Sequence, residues 1–408
     1  MAYETFIAER LIKGSVNKKR LKQPVIRLAV ISVALGVSVM ILAVMIVTGF
    51  RNEITEKVSC FAAHIRVNSF ESNNSLEEAP ISLEQPFLPA IKSIPGVKYV
   101  QPYAQKAGIL KTATDFEGVV LKGTSKDYNF SFLKEHLIDG KIPNIKSVAP
   151  TYEVLISENT ANKLHLKKRD SFLVYFLENE KKVRKFTISG IYKTGLSEEF
   201  DNIFIFCDIR VIQKLNNWSE KMVAGFEIYT YNFQNLEKVN AAVYNETGYL
   251  FNTKSIKEIY PQIFNWLELQ NINVAIIIAL MILVAGINMI STLLIIILEN
   301  TLSIGILKAM GAGNKSVRYI FLQVAYFIIL RGLFFGNLVG LTLCWLQSRF
   351  QLISLPQESY YVSSVPVNFS WIGLIMINLL VIIICFSMLI IPSNIIGKIS
   401  PVKVLQFD

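Results

Sequence analysis

The sequence predicts a membrane protein with four transmembrane α-helices and a large α+β domain between the first and the second of them. Of the 408 residues, 52% are hydrophobic and only 18% are charged, and the mean hydropathy is +0.41. Soluble domains carry about a quarter charged residues, so this deficit indicates that part of the chain lies in lipid. The composition therefore argues against an ordinary water-soluble enzyme.

Four apolar runs are long enough to cross a bilayer, which requires about 20 helical residues. The predicted transmembrane helices occupy residues 28–50, 271–298, 319–346 and 371–392. Arg331, in the third run, is the one charged residue among them. A cleaved signal peptide is a poor alternative for the first run, because a signal core has about 7–15 apolar residues and this run is longer.

The distribution of charge predicts that both termini are cytoplasmic. Basic residues outnumber acidic ones in the amphipathic segment 1–27, in the inter-span segment 299–318 and in the tail 393–408. Because cytoplasmic flanks are enriched in Lys and Arg, we expect these segments inside the cell and residues 51–270 and 347–370 outside. The net charge of +10 follows from this topology and does not indicate a nucleic-acid partner.

The outer domain at 51–270 is predicted to mix strands and helices. Ser157 and Asp208 are suited to cap helices that reach Leu164 and Leu215, and residues 235–244 also have helical spacing. Alternating or β-rich runs lie at 64–67, 108–112, 118–121, 153–156, 172–176, 185–191, 203–206 and 226–231.

A helical pattern at residues 255–271 leads into the second apolar run and predicts a stalk. Pro261 interrupts this pattern. Two interpretations stay open: one continuous helix that couples the outer domain to the membrane helices, or a helix that kinks or begins at the proline.

Catalytic and metal-binding signals are weak. The histidines lack metal-ligand spacing, and residues 311–316 lack the Gly-Lys pair of a phosphate-binding loop. We therefore expect no catalytic residue, no metal and no cofactor on this chain, so any ATP must bind to another subunit. The three histidines are His64, His136 and His165.

Several polar or reactive residues have more than one interpretation. Cys60 and Cys207 either pair outside the membrane or stay free, whereas Cys344 and Cys385 are interpreted as small apolar side chains within spans. Arg331 is either a functional charge within the bilayer or a side chain that extends to the cytoplasmic surface.

Two local patterns indicate packing and surface helices. Gly332, Gly336 and Gly340 repeat every four residues, which predicts a bare helix face for close helix packing, with a lipid pathway as the alternative. Residues 302–312 combine apolar positions with a glycine-rich end. They form either a short surface helix or an ordinary loop on the headgroups.

Short motifs along the whole chain form a recognisable set. They are Phe6-Ile7-Ala8-x-Arg10, Thr48-Gly49-Phe50, His64-Ile65-Arg66-Val67, Ile304-Gly305-Ile306-Leu307-Lys308-Ala309-Met310-Gly311, Leu355-Pro356, Tyr360-Tyr361-Val362 and Val365-Pro366-Val367. This set resembles lipoprotein-releasing ABC transporter permeases of the LolC/LolE type, within the superfamily of MacB-like and FtsX-like permeases.

The resemblance implies a multi-pass protein of a Gram-negative inner membrane with a periplasmic outer domain. It implies a dimer with a second copy or a related permease, and a LolD-like cytoplasmic ABC ATPase that carries ATP and Mg. The implied substrate is an acylated lipoprotein, passed by mechanotransmission to a LolA-like periplasmic carrier. The resemblance also assigns ATPase coupling to Leu302, Ser303, Ile304, Gly305, Ile306, Leu307, Lys308, Met310 and Gly311.

An acylated substrate requires an apolar path. Each buried methylene contributes about 0.8 kcal/mol, so exposing three chains of about 16 carbons costs roughly 40 kcal/mol. We therefore expect an apolar chamber between dimer halves. The candidate lipoprotein-binding residues, spaced along the outer half of the first span, are Met40, Val44, Val47 and Phe50.

The chain departs from the family at two places. Ser303 stands where relatives usually have Glu, and residues 178–184 are shorter than the hook with which LolC-type members hold their carrier. The alternatives are a MacB-like exporter subunit, an FtsX-like signalling permease that controls cell-wall hydrolases, and a membrane-anchored periplasmic enzyme.

Overall fold

The computed structural model describes residues 2–13, 22–70, 78–112, 115–177, 181–196 and 200–389. The predicted tail at 393–408 lies outside these ranges. The backbone divides into two compact units. The helical unit comprises the described residues of Met1–Asn52, Leu267–Ser354 and Ser364–Asp408. The sheet unit comprises those of Glu53–Trp266 and Leu355–Ser363.

The α-helices of the described ranges include both very short and very long members. They are α1 Ala2–Lys13, α2 Lys22–Ala62, α3 Leu88–Ser93, α4 Ser131–Glu135, α5 Glu158–Lys163, α6 Ile209–Leu215, α7 Leu236–Thr247, α8 Ile256–Ile259, α9 Pro261–Glu299, α10 Thr301–Ala309, α11 Asn314–Phe350, α12 Gln357–Tyr360 and α13 Trp371–Met388.

Four of these helices are long and apolar enough to cross a membrane: α2, α9, α11 and α13. Each contains all or most of one predicted apolar run. Helix α2 exceeds its predicted span of 28–50 at both ends, because polar residues continue the helix beyond the apolar run.

The proline near the second span marks a helix start. Helix α8 ends at Ile259, Tyr260 leaves helical geometry, and α9 then begins at Pro261. The first position of a helix tolerates proline, since its missing N–H has no intrahelical partner there. The continuous helix from residue 255 is therefore wrong, and the helix that begins at the proline is confirmed.

The sheet unit is built on a mixed ten-stranded sheet. The strands of the described residues are β1 Ile65–Ser69, β2 Ile81–Ser82, β3 Val97–Lys111, β4 Phe116–Thr124, β5 Leu137–Gly140, β6 Glu153–Ser157, β7 Ser171–Leu177, β8 Lys181–Tyr192, β9 Phe204–Asp208, β10 Met222–Val223, β11 Gly225–Thr230 and β12 Phe251–Ser255. In the large sheet, neighbouring strands follow the order β12-β1-β11-β3-β4-β9-β6-β8-β5, and β7 pairs with both β3 and β8. The pairings β3-β4-β9-β6-β8-β7-β3 therefore close a ring.

The local predictions for this unit are largely confirmed. Every predicted β-run overlaps a strand, and α7 covers most of the predicted 235–244 helix. Ser157 Oγ accepts a hydrogen bond from the Thr160 amide, and Asp208 Oδ1 accepts one from the Arg210 amide, so both act as N-caps. Strands β2, β5, β10 and β12 were not predicted from the sequence. Strands β7 and β8 are paired as far as Leu177 and Lys181, so their connection falls on 178–180, outside the described residues.

Candidate functional site

The glycine repeat of α11 lies directly against α2. A Cβ atom added at Gly336 would lie 2.7 Å from the Cβ of Val37 and 2.8 Å from the carbonyl oxygen of Ala34. Gly332 and Gly340, each about one helical turn from Gly336, approach Val33 and Ile41 in the same way. Such distances leave no room for a side chain. The helix face formed by the three glycines therefore sets how closely α2 and α11 pack.

The predicted ATPase-coupling residues form a short helix and the turn that follows it. Of the two open interpretations, a helix or a loop, the structure shows the helix α10. Ile304 is 1% exposed and holds α10 against the helical unit, whereas Leu302 and Ile306 are 48% and 46% exposed and Met310 is 80% exposed. Ser303 and Gly311 are also exposed, Gly305 is buried, and Leu307 and Lys308 are intermediate.

The predicted lipoprotein-binding residues fall into two groups. Met40 is fully buried among the chain's own helices. Val44, Val47 and Phe50 are only partly buried, and Val44 packs near Gly373 of α13. Met40 therefore serves the internal packing of one chain, while the other three keep exposed surface.

The carboxyl end of α2 belongs to the sheet unit and is capped by buried polar side chains. The carbonyl oxygen of Phe61 accepts hydrogen bonds from Lys122 Nζ at 2.8 Å and from Arg66 Nη2 at 2.8 Å. Lys122 Nζ and the Tyr128 hydroxyl each donate to the carbonyl of Cys60 at 3.2 Å. Cationic groups are favourable here, since the carboxyl end of a helix carries partial negative charge.

One buried carboxylate forms ion pairs with both cations of this cap. Glu227 Oε1 lies 2.7 Å from Lys122 Nζ and 3.2 Å from Arg66 Nη2, and Gln101 Nε2 donates to its other oxygen at 3.1 Å. The side chains of Lys122 and Glu227 have no exposed surface. Burial lowers the pKa of Lys122, and the neighbouring Glu227 carboxylate opposes that shift.

Aromatic packing fixes the same helix end. The Phe61 ring lies 5.1 Å from the Phe200 ring, 5.4 Å from that of Phe204 and 5.7 Å from that of Phe206, measured between centroids. All are buried. We call Phe61 and the polar groups on its turn, namely Lys122, Arg66, Glu227 and Tyr128, the α2 anchor. The α2 anchor was not predicted, because its members are far apart in the sequence and no local pattern connects them.

The segment Leu355–Ser363, which carries part of the family motif, also belongs to the sheet unit. The Gln357 side chain packs directly on the turn at Gly195, where a Cβ would collide with Gln357 Nε2. Lys57 Nζ, on α2, donates to the carbonyl of Tyr361 at 3.2 Å. The motif residues of this segment thus pack within the sheet unit.

The remaining candidate residues show no reactive arrangement in the described ranges. Cys60 and Cys207 are both free and buried, so the disulfide that was left open is not formed in this structure. Cys344 and Cys385 are buried and free as well. Arg331 is exposed on α11. Among the residues described, no group of His, Cys, Asp and Glu is suited to hold a metal ion.

Comparison with known proteins gives two family matches. The model for the MacB-like periplasmic core domain matches residues 28–243, and that for the FtsX-like permease C-terminal region matches residues 275–401. The first match spans more than half of the chain. The chain therefore belongs to the family of permeases with a MacB-like periplasmic core domain, here followed by an FtsX-like permease region.

Relatives within this family match along nearly the whole chain. The lipoprotein-releasing system transmembrane protein LolC of Xylella fastidiosa is 22% identical over 93% of both chains. LolE of Haemophilus influenzae is 18% identical over 98% of both. The solved periplasmic region of MacB from Actinobacillus actinomycetemcomitans is 14% identical and covers 49% of this chain and 92% of that chain, at a TM-score of 0.34. The resemblance to the LolC/LolE type is thus confirmed.

Proposed function

We propose that the chain is the permease subunit of an ABC transporter that extracts acylated lipoproteins from the outer leaflet of a Gram-negative inner membrane. A separate LolD-like ATPase holds ATP and Mg²⁺, and a LolA-like periplasmic carrier accepts the lipoprotein. A second permease, identical or related, completes the transporter. Similarity to LolC and LolE over nearly the whole chain supports this function.

The α2 anchor is the observation that carries the proposed mechanism. Helix α2 is a single helix from Lys22 to Ala62, and its apolar part is long enough to cross a membrane. Its last turn is held by the buried Lys122 and Glu227 pair and by the aromatic cluster around Phe61. A displacement of α2 in the membrane is therefore transmitted to the sheet unit, because detaching this turn would break its buried hydrogen bonds with Lys122, Arg66 and Tyr128 and would remove Phe61 from the aromatic cluster.

The exposed apolar side chains of α10 are proposed to dock the ATPase. Leu302 and Ile306 share one helix face, and Met310 follows directly after the helix. Ile304 on the buried side fixes the helix to the bundle. Since Ser303 replaces the Glu usual in relatives, docking here rests on apolar contact more than on charge.

The topology that the charge distribution predicts completes the proposal. The termini and α10 lie in the cytoplasm, and the sheet unit lies in the periplasm. Val44, Val47 and Phe50 then line the outer half of α2, where their exposed surface is available to acyl chains or to the second permease.

The test reconstitutes the full chain with its co-purified ATPase in liposomes that contain a fluorescent triacylated lipoprotein. The measurement is ATP-dependent transfer of the lipoprotein to soluble carrier. We expect Leu302→Glu to reduce both ATPase co-purification and transfer at least tenfold, because a charge is placed in the apolar docking face.

Leu352→Glu is the matched control. Leu352 is also exposed, but it follows the opposite end of α11 from α10, and we expect transfer to stay at the wild-type rate. Failure of ATP to release the lipoprotein from the wild-type complex would refute the proposal. ATP-dependent control of a wall hydrolase without release would then favour the FtsX-like function, and ATP-dependent export through a soluble pump partner the MacB-like one.

A further inference from the structure

Helix α1 is attached to the first turns of α11 within the helical unit. Ala8 of α1 is fully buried in the core of this unit. Ser316 Oγ donates a hydrogen bond to the Glu4 carboxylate. Gln323 Nε2 donates another to Thr5 Oγ1 at 3.3 Å. These contacts fix the position of α1 along the beginning of α11.

The two residues of α11 that hold α1 lie on either side of the predicted membrane boundary. Lys315 and Arg318 are the last charged residues before the apolar run that begins at Tyr319. Ser316 precedes this boundary, and Gln323 lies about one turn inside the run. The two residues are separated by about 10 Å at a rise of 1.5 Å per residue, a depth comparable to the boundary between headgroups and acyl chains. Helix α1 is therefore expected at the level of the lipid headgroups.

The side of α1 opposite Ala8 carries Phe6 and Arg10. Each lies two positions from Ala8, which is about 200° around a helix with 3.6 residues per turn. Phe6 is 62% exposed, and Arg10 is exposed as well. The acidic residues of this helix are engaged, because Glu4 accepts a hydrogen bond from α11 and Glu9 also has a partner. Arg10 has no ion-pair partner in the described part of the chain, so its charge is available to a ligand.

Lipid is the environment that this side of α1 fits. An aromatic ring is favourable at headgroup level, and an arginine there extends its apolar stem along the acyl chains while its guanidinium binds a phosphate group. Residues 1–27 of the sequence contain seven basic and two acidic residues. A basic flank of this kind attracts anionic lipids. A docked ATPase would have to enter the headgroup layer to cover the same side chains.

We propose that α1 is a phospholipid-binding helix that prefers anionic lipid. Phe6 packs at the boundary between headgroups and acyl chains, and Arg10 binds the phosphate group of an anionic phospholipid. The bonds from Ser316 and Gln323 then attach the beginning of α11 to the membrane surface. The proposal concerns the lipid around the chain and not the transported substrate, so it holds whether or not the transport assay succeeds.

The first test measures what surrounds Phe6. The full chain, with its native cysteines replaced by alanine, receives a nitroxide spin label at Phe6→Cys and is studied in nanodiscs with and without its co-purified ATPase. We expect oxygen, which concentrates in lipid, to relax this label more strongly than a water-soluble nickel chelate. The matched control is a label at Tyr249→Cys, on the sheet unit, where Tyr249 is 82% exposed. Nickel should relax the control label more strongly.

The second test measures the preference for anionic lipid. Nanodiscs contain phosphatidylcholine with increasing phosphatidylglycerol, and native mass spectrometry counts the phosphatidylglycerol that the chain retains. We expect Arg10→Gln to weaken retention about fivefold, since one basic residue near an anionic surface contributes about that factor. The control Lys221→Gln removes an exposed cation of the sheet unit and should leave retention unchanged.

Three results would overturn the proposal. Strong relaxation of the Phe6 label by nickel, in the chain without ATPase, would place this side of α1 in water. Protection of the label from both reagents, only when the ATPase is present, would identify the ATPase as the occupant. Equal retention of phosphatidylglycerol by wild type and Arg10→Gln would exclude Arg10 as the phosphate-binding group.

Discussion

The helical unit and the sheet unit are stabilised in different ways. In the helical unit, the contact between α2 and α11 depends on the absence of side chains at Gly332, Gly336 and Gly340. Its polar contact between α11 and α13 is a reciprocal pair of neutral amides, in which Asn337 and Asn378 donate to each other at 2.7 and 3.0 Å. In the sheet unit, full charges are buried around the end of α2.

The difference follows from the surroundings of each unit. Lipid does not drive apolar helices together, so close backbone approach and amide pairs must provide their association. The sheet unit excludes water with aromatic side chains and can therefore hold a strong charge pair, provided that both partners are present. The helical unit should accordingly be sensitive to added volume, and the sheet unit to lost charge.

The largest effect is expected from Glu227→Gln. This change keeps the side-chain shape but leaves Lys122 and Arg66 without their carboxylate. Breaking a buried pair costs about 3–5 kcal/mol, so the free energy of unfolding of the sheet unit should fall by that amount. Hydrogen exchange of the β1 and β11 amides in nanodiscs measures it.

The control for that change is an exposed ion pair of the same unit. Lys221 Nζ lies 3.0 Å from Glu84 Oε1, and both side chains are about three-quarters exposed. Glu84→Gln should change the free energy of unfolding by less than about 1 kcal/mol. Equal effects of the two substitutions would show that the α2 anchor is not held by its charges.

Acidification should weaken the sheet unit next most strongly. Burial, with Lys98 nearby, lowers the pKa of His64 to about 4, and its Nδ1 accepts a hydrogen bond from the Thr230 amide at 2.9 Å. An unfolded histidine has a pKa of about 6.5, so between these values the unfolded state binds the additional proton. Stability is therefore complete above pH 6.5 and falls by about 3 kcal/mol as the pH approaches 4.

The comparison with His64→Asn isolates this contribution. An asparagine oxygen can accept the Thr230 hydrogen bond but does not titrate, whereas other buried acids such as Glu78 titrate equally in both proteins. The difference in the free energy of unfolding between wild type and variant should shrink on acidification. A constant difference between pH 7 and pH 4.5 would contradict the assignment.

The sequence predicted the parts of the fold that depend on local patterns. Apolar runs gave the four long helices, and the caps at Ser157 and Asp208 gave two short ones, since each signal lies within a few neighbouring residues. Pro261 remained ambiguous because its two outcomes have the same local sequence. The helix α10 was ambiguous for the same reason, and tertiary contact at Ile304 decided it.

The α2 anchor was beyond prediction from one sequence. Glu227 meets Arg66 because β1 and β11 are adjacent and in register, and 161 residues separate the two. Strand register over such a distance has no local signature. The surroundings of Met40 could likewise not be predicted, because the sequence does not distinguish apolar side chains that face lipid, a partner or the chain's own core.

The smallest of these effects, and the test of the helical unit, is Gly336→Ala. The new Cβ would lie 2.7 Å from the Cβ of Val37, where about 3.5–4 Å is needed, so α2 and α11 must separate. We expect a loss of about 1–3 kcal/mol in the free energy of unfolding, measured by detergent titration of the reconstituted chain.

Gly36→Ala is the matched control within α2, since its Cβ meets only the Met281 carbonyl oxygen, at 3.9 Å. There the higher helix propensity of alanine should leave stability unchanged or raise it by up to about 1 kcal/mol. If both substitutions were neutral, the glycine spacing would not set the distance between α2 and α11, and the contrast between a unit held by close approach and a unit held by charge would fail on the helical side.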